Sequence, residues 1–411
     1  MLQGFDNFLR PKSIAALQQA AVSGPIIILT ASGSTCTALI VTLSDGVQYV
    51  PLPEMILPLA DLRVDLPRAL SNPAFDIHQF LANSPRGKDS EDRSVLEARL
   101  FGGREGRVNM SPNDVFRSLL ADLWITIVKP VFDALNLKKS ANPPRLWWCP
   151  TGPFAFLPIH AAGIYREDGT DCVSDYVVSS YTPTVTALLD PPNHTAASFK
   201  ITAVIQPDAP NCSPLPGSQA ELEKITKRVP KQWLTSLGDT TQATVESALL
   251  NLQQSSIVHF ACHGIQDLTN PLDSGLVLSD GRLKVSEIMR KPENNISVAE
   301  GSMSLAFLSA CETAKGDDKV PDEAMHLAAT LLFAGFRGVV ATMWTMADQD
   351  GPKIADIFYE HLFRNCDATS NPPVIPDLTE AAHALHLAVA KLREEPDIPF
   401  MRWVPFVHYG L

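Results

Sequence analysis

Two short apolar runs in the chain stop abruptly at reactive side chains. Residues 257–264 read Ile-Val-His-Phe-Ala-Cys-His-Gly, and residues 303–313 read Met-Ser-Leu-Ala-Phe-Leu-Ser-Ala-Cys-Glu-Thr. A continuous apolar run of this length, bounded by polar residues or glycine, predicts a strand buried on both faces of a parallel sheet. His263 and Cys311 then stand at strand ends. In open α/β sheets, ligands and chemistry collect at the carboxyl ends of the strands.

The remaining pattern predicts the elements around these two. Residues 1–23 look helical and only loosely tied to the strands after them. Three strands are expected at 25–29, 37–43 and 47–52, separated by the turn signals Ala31-Ser32-Gly33-Ser34 and Ser44-Asp45-Gly46. Residues 54–82 are broken by proline and ambiguous, and the apolar-free stretch 84–93 reads as a flexible loop. A long helix starts near Ser111, with Pro112 at its first position and Asp114 completing a capping box. Its stripe of Val115, Leu119, Leu123 and Ile127 has helical spacing. Strands come next at 146–149 and 176–181, and Pro191-Pro192-Asn193 marks a boundary.

The second half alternates more cleanly. It reads as a strand at 201–205, a helix at 218–229 with a Ser218/Glu221 capping box, and a helix at 243–252. The strands at 257–262 and 304–309 carry His263 and Cys311. A helix at 322–336, a strand at 338–344, helices at 348–363 and 379–394, and a last strand at 404–407 complete it. This order predicts an α/β fold, a mainly parallel sheet with helices on both faces. No repeat of 20–50 residues is present. The expected organisation is a helical segment at 1–23, one half at 24–195 and a second at 196–411.

Composition narrows the class. The chain has 411 residues, is 45% hydrophobic and carries a net charge of −12, which supports a large core and disfavours nucleic acid as a partner, since no Lys/Arg cluster is there to neutralise phosphates. The seven cysteines are odd in number and none has C-x-x-C spacing, which argues against a disulfide framework and a structural zinc site. No basic leader and no apolar run near the ~20 residues of a membrane helix is evident, so a cytoplasmic protein away from membranes is expected.

The candidate chemistry is a thiol–imidazole pair. His263 and Cys311 are 48 positions apart, near the ~50 of a caspase-type layout. A thiol with a free pKa of ~8.5 needs a nearby base or imidazolium to act as a nucleophile at neutral pH, and the same histidine can then protonate a leaving amine. The backbone N–H groups of Gly264 and Cys311 are candidate oxyanion donors. Against this stands the plain alternative that Cys311 is a small buried hydrophobe. His259, in mid-strand, reads as a hydrogen-bonded core or face residue. Cys262, next to His263, points to the opposite face.

The sequence resembles the CHAT domain, a family of cysteine peptidases related to caspases and separases and often joined to TPR repeats. The matching pieces run in order: Phe154-Ala-Phe-Leu-Pro-Ile-His, Tyr181-Thr-Pro-Thr-Val-Thr-Ala-Leu, Leu215-Pro-Gly-Ser-Gln-Ala-Glu, Val258-His-Phe-Ala-Cys-His-Gly, and Asn270-Pro-Leu-Asp-Ser-Gly-Leu-Val-Leu-Ser-Asp-Gly. Leu308-Ser-Ala-Cys-Glu-Thr, Ala334-Gly-Phe-Arg-Gly-Val-Val-Ala-Thr-Met-Trp and Trp403-Val-Pro-Phe-Val-His-Tyr-Gly complete the series. The likeness is strong over 146–411 and weaker over 24–145. It implies a caspase-like fold in two halves, the first pseudo-peptidase-like and the second catalytic. It further implies His263 as general base, Cys311 as nucleophile, and Gly264 and Cys311 amides as the oxyanion hole.

Trp344-Thr-Met-Ala-Asp348-Gln-Asp350 comes after a strand end. With Ser309, the acids Asp348 and Asp350 are candidates to line the pocket for the residue before the scissile bond, as the similar separase stretch places an acid facing a basic side chain. The competing reading makes Asp348 the cap of the next helix, with Asp350 in its first turn. The expected function is a cytosolic cysteine endopeptidase that cleaves a protein substrate through a thioester, gated by a partner or conformational change and without metal or cofactor. The alternatives are a catalytically silent caspase-like scaffold in a signalling or defence assembly, and a thiol acyl transfer on a small molecule. A TPR array is absent from these residues, so a TPR-containing or other regulatory protein would be a separate partner or the chain a piece of a longer one.

Overall fold

The computed structural model describes residues 12–32, 35–53, 55, 111–189, 199–239, 241–252, 254–265, 267, 270–289, 305–309 and 326–411. Among these, eleven strands form one large sheet. They are β1 (Ile26–Ser32), β2 (Thr35–Val41), β3 (Gln48–Pro51), β4 (Arg145–Pro150), β7 (Val178–Tyr181), β8 (Ile201–Ile205), β9 (Leu234–Leu237), β10 (Ile257–Ala261), β14 (Leu305–Leu308), β15 (Gly338–Thr342) and β16 (Phe406–Gly410). Their order across the sheet is β3-β2-β1-β4-β7-β16-β15-β14-β10-β8-β9. The hairpin β5 (Gly163–Arg166) and β6 (Gly169–Cys172) stands apart. So does a small antiparallel sheet of β11 (Gly264–Ile265), β12 (Gly275–Val277) and β13 (Arg282–Lys284).

The helices are α1 (Ile14–Gln18), α2 (Pro112–Leu123), α3 (Lys129–Ala134), α4 (Pro216–Arg228), α5 (Val245–Leu252), α6 (Val285–Ile288), α7 (His326–Phe333), α8 (Gly351–Leu362), α9 (Ala381–Leu392) and α10 (Phe400–Trp403). The Ser111/Asp114 capping box forms as expected and opens α2. Val115, Leu119, Leu123 and Ile127 are all fully buried.

The strand directions divide the sheet. β1, β4, β7 and β16 run parallel to one another, and β9, β8, β10, β14 and β15 do likewise. The two sets meet at β15–β16, which pair antiparallel. Their strand ends therefore open on opposite edges, so β10 and β14 share one edge and β4 faces the other. Both faces of the sheet are covered: Leu146 and Trp148 of β4 join the main core, while Trp147 and Cys149 join a smaller one with Ala20, Ala21 and Leu188.

Several expectations need correction. Residues 12–23 are not loosely tied: Ala20 and Ala21 are buried against the sheet, and the Gln18 side chain donates to the Thr42 carbonyl. The Ser218/Glu221 capping box does not form. Pro216, pre-set for a first helical turn, starts α4 earlier, Ser218 Oγ donates to the Leu215 carbonyl at 2.7 Å, and Glu221 is buried. The strands β5, β6, β9, β11, β12 and β13 are additions to the expected set; each has at most four residues, too few to show a pattern. The readings for 1–11, 33–34, 54, 56–82, 84–93, 191–193, 304 and 322–325 lie outside the described residues.

A histidine group behind β7 and β16 gives a pH dependence. His160 and His386 line a cavity of about 60 Å³, where His160 Nδ1 accepts from the Tyr181 hydroxyl and Nε2 donates to the Val404 carbonyl, each at 2.9 Å. Burial pushes His160 and His386 down to about 4 and holds His408 well below the ordinary range. The folded chain keeps these rings neutral, while the unfolded chain takes up protons once the pH drops below ~6.5. Stability is therefore full above that value and falls as the pH drops towards 4. Urea midpoints measured from pH 7.5 to 4.5 should decline through this window, and more shallowly in His160→Gln.

Candidate active site

β10 and β14 are adjacent and parallel, with His259 opposite Phe307 and Phe260 opposite Leu308. The pairing continues past the strand, since the Ser309 N–H donates to the Phe260 carbonyl at 2.8 Å. His263 and Ser309 consequently emerge side by side at the carboxyl edge and line one cavity of about 100 Å³. Cys311 lies outside the described residues. Gly264 begins β11 directly after His263.

His263 is 5% exposed, and its Nε2 lies 2.7 Å from the carbonyl oxygen of Ser213. A carbonyl only accepts, so Nε2 carries the proton, and in the neutral ring the lone pair is left on Nδ1. The Ser213 carbonyl thus selects the tautomer and holds the ring's orientation. Cys262 is fully buried in the main core, and His259 is a core residue, as its mid-strand position predicts.

Glu221 and Asp348 also line the cavity. Glu221 is 2% exposed, and its Oε1 faces Nε2 of the fully buried His259 at 3.3 Å. His259 Nδ1 lies 3.1 Å from the Tyr359 hydroxyl, and its ring stacks on Phe307. The other Glu221 oxygen converges with Ser309 Oγ on Gly351: a Cβ at Gly351 would stand 3.0 Å from each. Glycine at 351 lets α8 start against these head groups.

Asp348 caps a helix, but not the one expected. Its Oδ2 accepts from the Gly217 N–H at 2.7 Å, in the first turn of α4. The exposed N–H groups there attract a carboxylate. Any side chain on Gly217 would strike Asp348, whose carbonyl oxygen would lie 2.4 Å from the added Cβ, which accounts for the glycine in Leu-Pro-Gly. Asp350 does not line the cavity. It is fully buried, and its Oδ2 accepts from Arg402 Nε at 2.9 Å, with Arg402 Nη2 on its other oxygen. Of the three candidate pocket residues, the structure brings Ser309 and Asp348 to His263 and commits Asp350 to an ion pair.

Two groups at the site escape reasoning from residues alone, the Ser213 carbonyl and Glu221. A backbone acceptor has no sequence signal. Glu221 does have one, the Leu-Pro-Gly-x-x-x-Glu stretch, but at three residues after a serine it reads equally as a cap.

A two-set, mostly parallel sheet with His263 at the carboxyl edge of the second set is a caspase-like fold. The family model of the CHAT domain matches residues 117–411, and the chain belongs to that family. Among solved structures, the Saccharomyces cerevisiae separase–securin complex is similar, in one structure with a TM-score of 0.55 at 12% identity and in another with 0.53 at 14%. Both cover 97% of this chain, which spans only 30% and 31% of those separase chains. The Arg-specific cysteine proteinase gingipain R matches with a TM-score of 0.44 at 11% identity, over 70% of this chain and 68% of its own. Among curated proteins, none matches by sequence. No described helix is long and apolar enough to cross a membrane.

The Glu221–His259 pair has a measurable signature. Removing one partner of a buried ionisable pair strands the other, at a cost of about 3–5 kcal/mol, whereas replacing both by apolar groups costs far less. Urea denaturation should show Glu221→Ala destabilised by about that amount and Glu221→Leu/His259→Leu by clearly less.

Proposed function

We propose that the chain is a cysteine endopeptidase in which Cys311 is the nucleophile and His263 the general base. The observation that carries this is the His263 imidazole in the wall of a cavity, with Nε2 committed to the Ser213 carbonyl. Nδ1 takes the thiol proton, and the thiolate attacks the scissile carbonyl. The oxyanion is received by the backbone N–H groups of Gly264 and Cys311. The imidazolium then protonates the leaving amine, and water activated by the same ring hydrolyses the thioester. The substrate is a protein, met in the cytoplasm, and a regulatory protein partner gates access.

The cavity favours a basic side chain before the cut. Its wall carries two carboxylates, Glu221 and Asp348, beside the Ser309 hydroxyl and the Met346 thioether. Glu221 faces His259, while Asp348 spends one oxygen on Gly217 and presents the charge of the whole group to the cavity. Asp348→Asn retains an oxygen for the Gly217 N–H and removes the charge. It should lower kcat/KM for Arg- or Lys-containing peptides by roughly 10–100-fold and leave uncharged peptides nearly unchanged.

Labelling with a peptidyl electrophile, read by mass spectrometry, tests the assignment. The expected result is modification of Cys311 in the wild type, abolished in Cys311→Ala and reduced on the order of 100-fold or more in His263→Ala. Undiminished proteolysis by Cys311→Ala would overturn it. Absence of labelling, persisting when cell extract is added, would turn the reading to a silent scaffold.

A further inference from the structure

The pairing of α8 with α9 assembles side chains that neither helix could bring together alone. His361 lies in the last turn of α8, Glu380 in the 3₁₀ turn before α9, and His383 in the first turn of α9. Glu380 Oε2 is 3.2 Å from His361 Nε2 and 3.8 Å from His383 Nδ1, and the two imidazoles lie with centroids 5.1 Å apart. One donor atom from each of the three residues lies within 4.8 Å of the others.

We propose that His361, Glu380 and His383 form a binding site for a divalent transition-metal ion of the zinc type. Two imidazoles and one carboxylate make a borderline donor set that suits Zn²⁺. A tetrahedral zinc with ligands at 2.0–2.2 Å sets them about 3.4 Å from one another. The two distances to Glu380 fall on either side of that value, so small side-chain rotations complete the coordination and leave a position for water. The cysteine spacings that argued against structural zinc do not bear on this site, which contains no cysteine.

Two neighbouring cations oppose the ion: Arg145, which donates to the Thr379 carbonyl beside Glu380, and Arg364. Arg364 Nη2 donates to the same Glu380 oxygen at 3.1 Å, and its Nη1 donates to the His361 carbonyl at 2.6 Å. The Arg364 side chain is 41% exposed, so it can swing outward, but its charge repels a cation at the site. Zinc and Arg364 therefore compete for Glu380, and removing Arg364 should strengthen zinc binding. A cluster serving only as a hydrogen-bonded helix tie would show no such gain.

The site is remote from the candidate catalytic residues. His361 lies ten residues beyond Gly351, at the cavity end of α8, or about 15 Å along the helix. A bound ion would join the end of α8 to the start of α9, and so brace the helix whose first residue packs against Glu221 and Ser309.

Zinc is the probe. The full chain carrying His263→Ala and Cys311→Ala, which removes the other proposed thiol–imidazole site, is titrated with Zn²⁺ by calorimetry, and its thermal midpoint is measured with and without zinc. The expected result is one site of micromolar or tighter affinity, with a midpoint that rises in zinc. Added His361→Ala and His383→Ala should abolish both, and added Arg364→Ala should tighten binding several-fold. The folding of each variant is checked by circular dichroism without zinc. Equal zinc affinity with and without the two histidines overturns the proposal, as does absence of micromolar binding in the Arg364→Ala protein.

Discussion

The hydrogen bond between His263 and the Ser213 carbonyl is the constraint on which the site's chemistry depends. An imidazole at a strand end can rotate and can exist as either neutral tautomer. A carbonyl at 2.7 Å removes both freedoms, because it accepts and never donates. The rest of the second strand set holds that carbonyl and that ring in place. β10 fixes the His263 backbone. Ser213 reaches the ring from the segment between β8 and α4, neighbouring the Leu215 and Pro216 that start the helix.

A knot of contacts around α4 keeps this arrangement rigid. Asp348 binds the helix start, Glu221 on the second turn faces His259, and Gly351 lets α8 begin against Glu221 and Ser309. Lys224 and Arg228, further along α4, bind Asp356 on α8, at 3.0 Å and 2.7 Å. The cavity is thus walled by groups that also hold its supporting helices together. The first strand set is tied together separately: the Trp147 indole donates to the Gly410 carbonyl at the end of β16, and Arg145 reaches Ser180 on β7 and the Thr379 carbonyl.

Much of the fold was legible because long apolar runs have few alternatives. β8, β10, β14 and β15 are buried on nearly every residue and read directly as central strands, and the resemblance to the CHAT family ordered them. Short elements carried no comparable pattern. β9, Leu-Thr-Ser-Leu at a sheet edge, alternates too briefly to be told from a loop. At the site, His263 was legible from its place after an apolar run, whereas its partner is a main-chain atom 50 residues away. Carboxylates were the hardest to assign. Glu221, Asp348 and Asp350 all sit where a helix cap is plausible, and only tertiary packing separates a buried partner of His259, a cap for a neighbouring helix and a mate for Arg402.

The central claim is that His263, in the tautomer set by Ser213, activates the Cys311 thiol. The most direct measurement is the pH dependence of Cys311 alkylation by iodoacetamide, in the wild type and in His263→Ala. The account predicts a wild-type profile that inflects well below the ~8.5 of a free thiol, and a variant profile displaced up towards that value with slower reaction at neutral pH. Coincident profiles in the two proteins would contradict it.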